Sequence, residues 1–242
     1  MKTCLEIIAF NIESIAVIEA AGAHRIELCD NPAEGGTTPS YGMIKKARET
    51  TSLPIYPIIR PRGGDFWYSE AEFDIMKVDI KLCRDVGMDG VVTGIQTKDG
   101  NVDMERCVRL VELAYPMGLT FHRAIDRTVD LKEALEQIIE IGFERVLTSG
   151  GFPTVDEGAG QIAAMIKQAD ERIIIMPGSG LRSANISAIA TQTGAVEFHS
   201  SARVLQKSLM EYFNPNMKEQ PETVYVDGAE IKAMLAQLNL LS

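Results

Sequence analysis

Short apolar runs alternate with longer amphipathic stretches along the whole chain, and this alternation predicts a βα repeat. Eight runs stand out: Ile7-Ile8, Ile26-Glu27-Leu28, Pro57-Ile58-Ile59, Val91-Val92, Thr120-Phe121, Val146-Leu147, Ile173-Ile174-Ile175 and Val196-Glu197-Phe198. Each is short and bounded by polar residues or glycine, which predicts strands buried in a parallel sheet. They recur every ~20 to 35 residues, the length of one βα unit. The stretches between them carry helix start and stop signals. Ser69-Glu70-Ala71-Glu72 spells a capping box, and the amphipathic run after it stops at Gly87. Asp130-Leu131-Lys132-Glu133 and Thr154-Val155-Asp156-Glu157 begin two more helices, and Asn11, Ser40, Asp103 and Ser183 are the N-caps expected of the others. Gly22, Gly87, Gly118, Gly142 and Gly194 follow helical patterns, where a left-handed C-cap residue is needed.

Strict β–α alternation implies a parallel sheet with right-handed crossovers, either a closed barrel or an open doubly wound sheet. Eight units without a second domain or a long linker favour the barrel. Polar residues within the strands (Glu6, Glu27, Arg60, Thr120, Glu197) favour it too. Helices cover both faces of an open sheet, whereas a barrel offers such groups a mouth. The expected fold is therefore α/β: a single (β/α)8 TIM barrel over residues 1–204, with residues 205–242 a C-terminal extension on the same domain. Within that extension Asn214-Pro215-Asn216 and Gln220-Pro221 read as loop, and residues 229–241 as a helix.

Composition narrows the partners. Of 242 residues, 45% are hydrophobic, enough for a sizeable core, and 24 Lys and Arg face 34 Asp and Glu, a net charge of -10. That balance argues against nucleic acid or an anionic membrane surface as partner, because phosphate attraction needs clustered positive charge. No stretch approaches the ~18 apolar residues of a membrane span. Met1-Lys2-Thr3 leads straight into a strand-like run without the apolar segment of a signal peptide, which predicts a cytoplasmic protein with reduced thiols. Cys4, Cys29, Cys83 and Cys107 show no C-x-x-C spacing, against a structural zinc site. Cys83 and Cys107 fall in helical patterns and read as packing.

Strands that all point one way gather their C-terminal ends on one rim, and the candidate chemistry lies there. Arg60-Pro61-Arg62-Gly63-Gly64-Asp65 puts two guanidinium forks at a strand end as an anion clamp. Alternatively, it is a salt-bridge knot in which Arg60 and Arg62 pair with Glu6, Glu27 or Asp65. His122 ends another strand, the station of a general acid/base, with Asp126 either orienting it or pairing with Arg123. The alternative is a neutral histidine satisfied within the mouth. His199 also ends a strand, while His24 belongs to the opposite rim. Ser149-Gly150-Gly151 and Gly178-Ser179-Gly180, after the sixth and seventh strands, are either phosphate-binding loops or tight turns that need glycine. Glu6 and Glu27 on neighbouring strands either split their pKa values for acid/base work or serve as arginine counter-ions. Cys29 shares the parity of Glu27 and reads as a mouth-facing thiol: a Cu(I) ligand, a nucleophile or a small core residue.

The same segments resemble a known family. Arg25-Ile26-Glu27-Leu28-Cys29, Gly35-Gly36-Thr37-Thr38-Pro39-Ser40, Ile59-Arg60-Pro61-Arg62-Gly63-Gly64-Asp65-Phe66, Thr120-Phe121-His122-Arg123-Ala124, Arg145-Val146-Leu147-Thr148-Ser149-Gly150-Gly151, Met176-Pro177-Gly178 and Glu197-Phe198-His199 are similar to the copper homeostasis protein CutC family over about Leu5 to Arg203. The resemblance implies a cytoplasmic TIM barrel associated with copper tolerance and Cu(I) binding. It also implies a homo-oligomer, with a dimer the expected size. It assigns no reaction. The family cysteine is Cys29, while a second cysteine that some members carry two residues after the glutamate is Ile8 here. His122, His199 or a Met would then have to complete a copper site. Two functions follow: Cu(I) binding through Cys29, or an enzyme acting on a small anionic or phosphorylated metabolite. The enzyme would use Arg60 and Arg62 as clamp, His122 with Asp126 as proton carrier and Glu6 or Glu27 as second acid/base.

Overall fold

The eight apolar runs form eight parallel strands, and each of the first seven is followed by a helix or a helical turn. The computed structural model describes residues 3–218 and 221–241. Met1, Lys2 and Gln220, on which parts of the terminal readings rest, lie outside them. The strands are β1 Cys4–Ala9, β2 Arg25–Leu28, β3 Ile55–Pro57, β4 Gly90–Thr93, β5 Gly118–Phe121, β6 Arg145–Thr148, β7 Ile174–Pro177 and β8 Glu197–Ser200. The helices between them are α1 Ile12–Ala21, α2 Tyr41–Thr50, α3 Glu70–Val86, α4 Met104–Ala114, α5 Leu131–Ile141, α6 Val155–Ala169 and α7 Ile186–Thr193. The strands make two parallel four-stranded sheets, β3-β2-β1-β8 and β4-β5-β6-β7. The sheets meet at β3 and β4, where Ile58 and Val92 form a parallel bridge and Ile59 N–H donates to Val92 O at 2.7 Å. β7 and β8 are neighbours with no ladder between them among the described residues. The result is an α/β fold with TIM-barrel-like topology.

Strand alternation sorts the side chains. Leu5, Ile7, Ile26, Leu28, Val91, Phe121, Val146 and Phe198 join the large core beneath the helices. The opposite parity points between the sheets. There Ile8, Cys29, Tyr56, Ile58 and Val92 form a separate apolar layer. Below it lie Glu6, Arg25, Arg145 and Glu197, buried and ion-paired. Tyr56 lies across this interior because β4 and β5 begin with glycine. A Cβ at Gly90 would come within 2.1 Å of its ring, and one at Gly118 within 2.4 Å of its hydroxyl.

Most helix boundaries follow the sequence signals. Ser69 closes a full capping box with Glu72, accepting from Glu72 N–H and receiving the Glu72 carboxylate on its own N–H. Asn11, Ser40, Asp103 and Asp130 accept first-turn N–H groups, and Gly22, Gly87, Gly142 and Gly194 take left-handed C-cap conformations. Three expectations are corrected. Gly118 starts β5 instead of capping α4. That helix ends at Tyr115, because Pro116 has no N–H and restricts the residue before it. Asn185 stands at the N-cap of α7, and Ser183 instead donates its hydroxyl to Glu230 at 2.9 Å. The tail is not a plain loop. β9 Arg203–Lys207 and β10 Glu222–Val226 form an antiparallel hairpin around residues 208–218, and α8 Gly228–Asn239 packs on α1 and α7. The alternating Val204-Leu205 and Val224-Tyr225 pairs carry the strand signal that the Asn-Pro turn masked. No described helix is long and apolar enough to cross a membrane.

Candidate active site

The C-terminal strand ends enclose a cavity of about 630 Å³, lined by residues from the loops after β1, β2, β3, β5, β6, β7 and β8. At its base, β1, β2 and β8 place four ionisable groups in one buried chain. Arg25 Nε donates to the Glu6 carboxylate, the other Glu6 oxygen lies 2.8 Å from His199 Nδ1, and His199 Nε2 lies 3.6 Å from Glu27. Only Glu27 and His199 of these reach the cavity wall. Burial pushes Glu27 up to about 7, with His199 pulling the other way. Burial would raise Glu6 too, but Arg25 and the His199 hydrogen bond outweigh it and hold that carboxyl at about 2. Burial lowers His199, yet the hydrogen bond to Glu6 and the charge of Glu27 carry it above its ordinary value. The two glutamates thus split. Glu6 is a permanent anion that orients the imidazole, while Glu27 is poised to hold or release a proton near neutrality. Of the two readings, arginine counter-ion describes Glu6 alone, and its arginine is Arg25, not Arg60 or Arg62.

His122 occupies the expected strand end but not the expected state. It is 3% exposed, packed 4.6 Å from the Phe66 ring, and Phe66 is itself covered by the guanidinium groups of Arg60 and Arg127. Burial and those two charges lower its pKa to about 3. The ring stays neutral, so it cannot shuttle a proton as imidazolium near pH 7. Its Nδ1 accepts from Ala124 N–H at 3.3 Å, which assigns the ring hydrogen to Nε2. Nε2 meets no partner among the described residues, leaving a buried donor on a residue of the cavity wall. Asp126 does not orient this histidine. It binds Arg123 at 2.9 Å and accepts from Thr148 Oγ1, Ser149 N–H, Ser149 Oγ and Gly151 N–H.

That carboxylate also changes the reading of the first glycine loop. Ser149 and Gly151 give their amides to Asp126, and Gly150 N–H goes to Thr148 Oγ1 at 2.8 Å, so this loop already holds an anion of its own. The second loop is open: Ser179 and Gly180 line the cavity, while Gly178 donates its amide to Thr148 O and packs against Leu147 and His199. The proposed arginine pair separates. Arg60 lines the cavity, with its guanidinium held by the carbonyls of Glu34, Gly36 and Gly64. Arg62 turns outward to Glu72 and Asp65, which is the salt-bridge knot, and neither it nor Asp65 lines the cavity.

Cys29 has the predicted parity but does not line the cavity: it is fully buried, packed among Ile8, Tyr56, Ile58 and Val92 with Gly36 over its sulfur. Burial and the nearby Glu27 raise its pKa well above the thiol value, so it is a protonated packing thiol and not a ready ligand. Cys4 sits at the other end of β1, away from Ala9, whose carbonyl receives the Cys29 N–H. The residues do not fit a dithiolate Cu(I) site. Among the described residues, the grouping suited to a cation is Glu6, Glu27 and His199, whose donor atoms lie within 4.8 Å of one another.

Sequence reasoning missed the charged floor and part of the rim. Arg25 and Arg145 share the inward parity of Glu27 and Leu147 on β2 and β6, a signal that was readable. Arg127, Arg182 and Arg203 also line the cavity, Arg127 from the helical turn after β5, Arg182 from the β7 loop and Arg203 from the start of β9. Arg60, Arg127, Arg182 and Arg203 all lack a carboxylate partner among the described residues, whereas Arg123 has Asp126.

A TIM-barrel-like α/β protein with a deep, arginine-lined pocket at the C-terminal strand ends is thus defined by fold and site together. The chain belongs to the CutC family, whose model matches residues 3–204. It is 49% identical over 243 residues to a CutC family protein of Parabacteroides distasonis, covering 97% of this chain and 100% of that one. It is 44% identical over 217 residues to the human copper homeostasis protein cutC homolog, covering 90% and 78% respectively. The crystal structure of a copper homeostasis protein CutC from Streptococcus agalactiae superposes with a TM-score of 0.78 at 35% identity, over 82% of this chain and 98% of that one.

Proposed function

We propose that this chain is a closed (β/α)8 barrel enzyme acting on a small anionic metabolite. The observation that carries the reading is charge placement. In a protein of net charge -10, four arginines without carboxylate partners converge on one cavity. Uncompensated guanidinium groups at a pocket cost self-repulsion, which an anionic ligand relieves. At the base, His199 donates from Nδ1 to Glu6, leaving Nε2 beside Glu27, so the pair can take a proton from a bound substrate and return it. His122 supplies a neutral N–H donor for a substrate oxygen on which charge develops. Together these groups suit proton transfer next to a carbonyl, as in isomerisation or aldol-type cleavage. A melting-temperature screen of the full chain against phosphorylated and carboxylated metabolites tests the reading. Anions are expected to raise Tm by several degrees, about the effect of ligand at 100 times Kd. A screen in which neutral sugars and anions behave alike would overturn it.

A second reading, metal handling, is favoured by the grouping of Glu6, Glu27 and His199. Carboxylate and imidazole donors suit a divalent ion, and Cu(I) would need the buried Cys29 as well. Copper titration under reducing conditions is expected to give weaker binding in Cys29→Ser and Glu27→Gln if this reading holds. Parent-like copper affinity in both variants removes it.

A further inference from the structure

The cavity's positive charge falls into two groups. Arg60 follows β3 and Arg127 ends the helical turn after β5, and both guanidinium groups lie against the Phe66 ring, which also packs on His122. Arg182 and Arg203 follow β7 and β8, Arg182 in the β7 loop with Ser179 and Gly180, and Arg203 at the start of β9 just after Ser201. We infer that this second group is the receptor for a phosphoryl group, and that the substrate is a phosphate monoester. Its phosphate would lie at the β7 and β8 loops and its reacting end at Glu27, His199 and His122. The inference rests on the reading of the cavity as an anion-binding substrate site, and it names the anion.

Three features of the β7 and β8 loops support it. The two arginines are tied together but not neutralised: Arg182 Nη2 donates to the carbonyl of Arg203 at 3.1 Å, and neither guanidinium has a carboxylate partner among the described residues. The Arg203 guanidinium has no hydrogen-bond partner among them at all. The second feature is the turn at Ser179 and Gly180, where both φ angles are positive, 81° and 84°. Glycine adopts that region freely but serine does so at a cost, so the turn must be held by its surroundings. Three hydrogen bonds hold it: Ser179 Oγ donates to Pro153 O at 2.8 Å, Val155 N–H donates to Ser179 O at 3.0 Å, and Asn185 Nδ2 donates to Gly180 O at 3.1 Å. The N–H groups of Ser179 and Gly180 are left without acceptors among the described residues. The third is the contrast with the β6 loop. Its amides hold the Asp126 carboxylate, so the same kind of loop one strand earlier is already filled by a side chain, whereas the β7 loop is not.

The donor set decides between phosphate and carboxylate. A carboxylate offers two coplanar oxygens, which one arginine fork satisfies. Here the cavity lining offers two forks, the Ser179 and Gly180 amides and the Ser201 hydroxyl, more donors than one planar carboxylate uses and enough for the three terminal oxygens of a tetrahedral monoester dianion. Loops after the seventh and eighth strands are also where barrels of this topology commonly hold phosphate.

Calorimetric titration of the full chain with inorganic phosphate, and separately with malonate as a planar dicarboxylate, tests the assignment. Phosphate is expected to bind saturably, and Arg182→Ala and Arg203→Ala are each expected to weaken it about ten-fold or more. Arg203→Lys, which keeps the charge but loses the fork, is expected to fall between parent and alanine variant. Melting curves confirm that each variant folds; both residues are on the rim, outside the core. If malonate binds while phosphate does not, or if phosphate affinity is parent-like in Arg182→Ala and Arg203→Ala, the phosphoryl site is overturned and the anion-binding reading stands. If neither anion binds, both fall.

Discussion

Arg25→Ala is expected to lower the stability of the fold by about 3–5 kcal/mol, the cost of leaving a buried charge without its partner. Arg25 is the hinge of the charged floor. It bonds the Glu6 carboxylate, reaches Glu197 at 2.6 Å and touches Met176 Sδ at 3.3 Å, while Arg145 holds the same Glu197 oxygen at 2.9 Å. Glu6 is fully buried, and without Arg25 its burial would no longer be outweighed. The sign with pH follows. A carboxyl held at about 2 contributes stability that is present above its unfolded value of 4.5 and is lost as pH falls through about 2. In the variant, Glu6 regains a proton far more readily, so the penalty is larger near neutral pH than at about pH 4. Urea denaturation at the two pH values measures this. A loss below about 1 kcal/mol at neutral pH would show that the floor is not a coupled ion network.

On the proposed enzyme reading, Glu27→Gln is expected to cut turnover about 10²- to 10⁴-fold while leaving anion affinity within about three-fold of the parent, because that reading makes it a proton carrier and not an anion ligand. A stability readout needs no substrate. Burial pushes Glu27 to about 7 in the folded chain, against 4.5 when exposed. A raised carboxyl contributes stability that is fully present below 4.5 and is lost as pH climbs through about 7. The parent is therefore expected to lose on the order of 2–3 kcal/mol across that window, and Glu27→Gln to lose much less. Denaturation midpoints between about pH 5 and pH 8 compare the two. Equal slopes in parent and variant would mean that another group titrates there.

These expectations rest on facts of unequal legibility. The alternation of short apolar runs with capped amphipathic stretches was enough for the order of strands and helices. Capping boxes and helix-ending glycines are local devices, which a single chain segment spells out. Glu27, His122 and His199 could be placed at or near the rim from their position in each strand, since parity decides which face a residue takes, whereas Glu6 shares that face but lies in the buried floor. Partners were not legible in this way. Asp126 follows His122 by four residues, yet it serves Arg123 and the Ser149–Gly151 loop, because the helical turn after β5 carries it towards β6. Arg60 and Arg62 are two residues apart, yet one lines the cavity and the other faces Glu72 on α3. The hairpin of β9 and β10 pairs strands across an Asn-Pro turn, a contact that no local signal announced.

The amino-acid sequence by itself determined the repeat, the polarity of the strands and therefore the rim where chemistry gathers, because hydrophobic period and capping act over a few residues. Only the tertiary structure decided which polar ends are free. It filled one glycine loop with Asp126, stacked His122 into a neutral donor and buried Cys29 in an apolar layer under Gly36. It also brought four arginines without carboxylate partners from separate loops to a single cavity. Those outcomes depend on burial and on charges that meet across the strand order, and such distances are set by packing rather than by spacing along the chain.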